Sequence, residues 1–108
     1  MTDAHEIMVV YLTASSREEA DKIAGELVAR KLAACVNILG EISSVYDWQG
    51  NIEHGREIAL IAKTTSAKFP ELERAVKTLH SYECPCVVAW PLSDGHAPFL
   101  EWVKNSVQ

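Results

Sequence analysis

Three short stretches of this chain, residues 7–12, 58–62 and 86–90, are apolar at every position rather than at every second one. Each is too short for a convincing helix and is rich in β-branched or aromatic residues. Each therefore reads as a strand buried on both faces. That demand constrains the fold more than any other feature, because a chain of 108 residues makes one core and has little spare material to cover a sheet twice.

Two amphipathic segments separate the strands. After "YLTA", Ser15 or Ser16 stands three residues before Glu18 or Glu19, a capping box that predicts a helix start. Ala20, Ile23, Ala24, Leu27 and Val28 then recur at helical spacing. Further on, Phe69, Leu72, Ala75, Val76 and Leu79 repeat the pattern, with Pro70 suited to a first helical turn. Between these helices, "AACVNIL" and "SSVYDWQGNIEHGREIALIAKTT" form two strand-like arms around Gln49-Gly50-Asn51, the chemistry of a long hairpin. A final strand, Cys86 to Trp90, is closed by Pro91. Phe99, Trp102, Val103 and Val107 predict a short C-terminal helix.

The order is β-α-β twice, with a helix added. "YLTASS" and "AKTTSA" open the two halves alike, a weak internal repeat. Right-handed crossovers then give an α+β fold, a ferredoxin-like βαββαβ sandwich with an antiparallel sheet and both main helices on one face. A sheet covered on one side should alternate apolar and polar residues, and these strands do not. Self-association is the economical way to cover the open face. Tyr46 and Trp48, near the hairpin tip, fit the same expectation.

Composition narrows the function. The formal net charge is −5 and no basic run occurs, which excludes the clustered cations of nucleic-acid binding. No stretch nears the roughly 20 apolar residues needed to cross a bilayer. Asp3 and Glu6 stand where a secretory signal would be basic. Three cysteines are too few for a disulfide framework, so reduced thiols and a cytoplasmic location are expected. The five glycines are dispersed and form no phosphate-cradling loop. "LTASSREE" likewise lacks the glycines of an acylphosphatase loop.

Chemistry gathers in "HSYECPC". In an extended segment Cys84 and Cys86 point to one side and could offer two thiolates, with His80 nearby. Soft sulfur ligands favour Cu(I) or Zn(II). The competing reading is a buried apolar cysteine and a histidine placed at a helix C-terminus. A thiol enzyme would use either cysteine with His80 as base, but no third, orienting group can be named. Cys35, within "AACVNIL", reads as core. Ser16 and Arg17 could hold an anion at the first helix start, as would any exposed capping turn.

"KLAACVNIL", "YDWQG", "AKTT" and "HSYECP" stand in one order and spacing that resembles the CutA family, the divalent-cation-tolerance proteins. The likeness runs from about Val9 to Trp102. It implies a single CutA-like domain over residues 1–108, assembled as a homotrimer similar in architecture to the PII signalling proteins. It also implies tolerance to copper and other divalent metals, with no established enzymatic reaction and no required cofactor. His80 matches a family histidine and carries over as a copper ligand. Where the family typically reads "PYEVPE" this chain has "SYECPC", so both thiols are its own variation. Leu12 occupies a position where some members carry a cysteine, so that part of a copper site is missing. The resemblance also places Tyr46, Trp48, Lys63, Tyr82 and Glu83 around the clefts between protomers, and Glu57 on the same arm could pair with Lys63 or hold a ligand. A PII-like sensor of a small ligand in those clefts is the alternative function.

Overall fold

The computed structural model describes residues 2–108. Its elements are β1 (Ile7–Ala14), α1 (Arg17–Ala29), β2 (Cys35–Trp48), β3 (Asn51–Thr65), α2 (Phe69–Leu79), β4 (Val87–Pro91) and α3 (Ala97–Ser106). The four strands form one antiparallel sheet in the order β2-β3-β1-β4. This is the ferredoxin-like arrangement, with α3 as the addition.

Strand alternation sorts the side chains. Val10, Leu12, Leu60 and Ala62 point to the side of α1 and α2, where they pack with Ile23, Leu27, Leu72 and Val76 into the main core. Ile7, Val9, Tyr11, Ile61, Val88 and Trp90 belong to the opposite face. There α3 covers one end only, burying Ile7 against Leu100, Val103 and Val107. The rest stays open, and Val88 and Trp90 are about half exposed. One chain thus satisfies the double-faced apolar pattern on one side only.

Ser16 is the N-cap of α1, its hydroxyl accepting from the Glu19 amide at 3.1 Å. Gln49 and Gly50, both with positive φ, make the two-residue hairpin turn, which matches the twist of the paired strands. Four details differ from the sequence expectation. Val28 is exposed, outside the buried stripe of α1. On α3 the core residues are Leu100, Val103 and Val107, while Phe99 and Trp102 lie outward and stack on each other. Pro91 ends β4 from within, paired with Met8, as an edge strand allows. Cys35 is only half-buried, because its register opposite Lys63 puts it on the open face.

The least foreseeable feature is a β-bulge in β2. Ile38 pairs with Leu60 and Gly40 with Ala59, leaving Leu39 as an extra residue, and Gly40 takes φ +120°. A one-residue insertion exchanges the two faces of a strand. Beyond it Ile42, Ser44, Tyr46 and Trp48 share the open face with Glu57. Without it that face would carry Glu41, Ser43, Val45 and Asp47.

Candidate functional site

The bulged half of the hairpin, the open face of β1 and the loop between α2 and β4 enclose a cleft of about 540 Å³. The hairpin contributes Ile42, Ser44, Val45, Tyr46, Trp48 and Glu57. β1 contributes Tyr11 and Thr13, and the loop adds Tyr82, Glu83, Cys84 and Cys86.

Glu57 sits in the middle of this wall. The Ser44 hydroxyl donates to its Oε2 at 2.5 Å and the Tyr82 hydroxyl to its Oε1 at 3.1 Å. Burial and the neighbouring Glu57 carboxylate both disfavour the phenolate, and Tyr82 is pushed up to about 12. The Cys86 thiol is raised by the same two influences, burial first and then Glu57. It is therefore held as a thiol at neutral pH, a poor nucleophile but still able to yield its proton to a metal.

The loop itself is fixed from behind. The His80 side chain is fully buried. Its Nδ1 accepts from the Tyr82 amide at 3.0 Å, which leaves Nε2 as the protonated nitrogen, donating to the Thr13 carbonyl at 2.6 Å. β4 pairs with β1 only as far as Leu12, so the imidazole serves the next β1 position in place of a strand. Glu19 completes the bracket, accepting from the Ser15 amide at 3.1 Å and the Ser81 amide at 3.2 Å. Burial pushes the Glu19 carboxyl up, but the hydrogen bonds from Ser81 and Ser15 and the nearby His80 outweigh it, leaving the group below its ordinary value.

Cys84 and Cys86 therefore stand at the cleft with Tyr46, Trp48, Glu57, Tyr82 and Glu83. His80 does not stand among them, since both its nitrogens are engaged behind the loop. Among the described residues, no three His, Cys, Asp or Glu side chains are grouped as a metal site. With both nitrogens engaged, His80 is not placed as a base for either thiol. Lys63 lies outside the cleft and donates to Asn37. It makes no pair with Glu57, because six residues along a strand span about 20 Å. Arg17 is paired with its own helix neighbour Asp21.

Sequence reading missed Tyr11, Thr13, Ile42, Ser44 and Val45 as lining residues. Strand parity would have found Tyr11 and Thr13, but the bulge hid Ile42 and Ser44. It also recognised Glu19 as a cap without seeing that its carboxylate reaches Ser81, 62 residues away.

An antiparallel ferredoxin-like domain with a long hairpin and an open apolar face defines a class of small α+β proteins, and a family model for "CutA1 divalent ion tolerance protein" matches residues 8–106. The divalent-cation tolerance protein CutA of Archaeoglobus fulgidus is 48% identical over 99 residues, covering 92% of this chain and 96% of the relative. Its namesake in Thermus thermophilus is 43% identical over 98 residues, covering 91% and 95%. The solved structure of the periplasmic divalent cation tolerance protein CutA from Archaeoglobus fulgidus superposes with a TM-score of 0.91 at 46% identity, covering 94% of this chain and 99% of that one. This chain belongs to the CutA divalent-cation tolerance family. None of its helices, among the described residues, is long and apolar enough to cross a membrane.

Proposed function

We propose that the protein serves divalent-cation tolerance as a non-catalytic homotrimer that takes up soft metal ions, copper foremost, on Cys84 and Cys86. The observation that supports this reading is that both thiols line one cleft, whose wall also carries the Glu57 carboxylate. Thiolates prefer Cu(I) and Zn(II) to hard cations. His80 positions the loop that carries them, and becomes a ligand only by giving up its bond to Tyr82 or Thr13. The trimer rests on the family and on the uncovered Val88 and Trp90. A cytoplasmic location is supported by three free cysteines.

Titration with Cu(I) under reducing conditions tests the metal claim. Stoichiometric binding that is lost in Cys84→Ser and Cys86→Ser is expected. Binding that survives both substitutions refutes it.

A second reading is favoured by the cleft itself. A concavity of about 540 Å³ is of small-molecule size, as a PII-like sensor of a small ligand requires. A thermal-shift screen of metabolites tests this reading, because a specific ligand raises stability by mass action.

A further inference from the structure

We propose that this cleft binds an organic cation, an ammonium group carried on an apolar body. The inference rests on the small-ligand reading above and adds the chemistry of the ligand. Four aromatic side chains, Tyr11, Tyr46, Trp48 and Tyr82, line the cleft, and aromatic faces attract cations through their quadrupoles. Two carboxylates, Glu57 and Glu83, stand among them, and the chain that forms this wall brings no lysine, arginine or histidine to it. Lys63, on the same sheet face, is turned to Asn37 instead.

Glu57 has the form of an anchor. It is half-buried, and each of its oxygens is fixed by one hydroxyl donor, from Ser44 or Tyr82. Each oxygen keeps a further lone pair for an incoming N–H. Its charge is oriented by neutral groups and has no counter-ion among the lining residues of its own chain. A cationic ligand supplies that counter-ion, while Ile42 and the aromatic rings receive the apolar body. An anion such as a nucleotide phosphate meets two carboxylates and no cation here.

Phenethylamine, charged at neutral pH, and 2-phenylethanol, its neutral counterpart, are suitable probes. Each is titrated into the full-length assembled protein by calorimetry, with Trp48 fluorescence as a second readout. The amine is expected to bind saturably and about tenfold more tightly than the alcohol, the ratio a desolvated cation–aromatic contact supports. Glu57→Gln, nearly isosteric, is expected to abolish that preference. Trp48→Ala, near the hairpin tip, is expected to weaken the amine, with light scattering and urea unfolding checking that assembly and fold are kept. Equal binding of amine and alcohol overturns the cation claim but leaves a ligand cleft. Binding of neither probe overturns the cation claim, and the metabolite thermal-shift screen then decides the small-ligand reading by itself.

Discussion

Replacing His80 with phenylalanine keeps an aromatic ring behind the loop and removes both of its nitrogens. The Thr13 carbonyl then loses its donor at a residue that is 4% exposed. A buried acceptor left unpaired costs about 2 kcal/mol. The Tyr82 amide loses its acceptor too, but Tyr82 is 36% exposed and water can replace the bond, so about 1 kcal/mol is the fair figure there. The expected loss is about 3 kcal/mol, a large fraction of the stability of a small domain. Urea unfolding measures it as a midpoint lowered by about 1.5 M for a slope near 2 kcal/mol/M. Protein concentration must be equal for both forms, since self-association adds to apparent stability. Cu(I) affinity is measured on the same variant and is expected to stay within about threefold, well under the 1.4 kcal/mol of a tenfold change. A stability loss below about 1 kcal/mol, less than one unsatisfied buried group, refutes the structural role. A loss of copper affinity of tenfold or more, about 1.4 kcal/mol, makes the imidazole a ligand.

The other predictions concern the bracket, the cleft and the open face. The Glu19 carboxyl lies below its ordinary 4.5, so the stability it contributes is present above that pH and lost as acid carries the solution through its folded value. Thermal unfolding against pH should show this loss, and Glu19→Gln should flatten it. Tyr82 should ionise near pH 12 in an ultraviolet titration. Glu57→Gln should bring it only part-way back, because burial is the larger cause; an unchanged midpoint would separate the two groups. Gly40→Ala should cost about 1–3 kcal/mol of stability by forcing a side chain into a disfavoured backbone region, measured by the same urea unfolding. Trp90→Glu, on the open sheet face, should reduce the mass seen by light scattering to that of one chain. An unchanged mass would mean that this face is not the interface.

Much of the architecture was legible locally. The capping box at Ser16 and Glu19, the Gln49-Gly50 turn and the apolar stripe of α2 are set by hydrogen bonds and spacings within a few residues. The unbroken runs at 7–12 and 58–62 announced a sheet with apolar residues on both faces, while the alternation of strands and helices gave the ferredoxin-like order. The C-terminal stripe was legible in part: Val103 and Val107 are buried as expected, but Phe99 and Trp102, large and apolar, lie outward, while Leu100 meets Ile7 from β1. Only the packed partner decides which of two apolar stripes on a short helix is buried.

The cleft depended still more on tertiary structure. Tyr46, Trp48, Glu57, Tyr82, Cys84 and Cys86 could be singled out by residue type, but not joined. The bulge at Leu39 decides which hairpin residues share a face with Glu57, and it appears only when β2 is paired to β3. His80 could be a ligand, a base or a cap until Thr13 and Tyr82 came within hydrogen-bond reach of its two nitrogens. The sequence by itself determined the elements, their order and the chemical repertoire, because those follow from local periodicity and side-chain type. Tertiary structure alone decided the roles, since a titratable or metal-binding side chain takes its function from partners that lie tens of residues away along the chain.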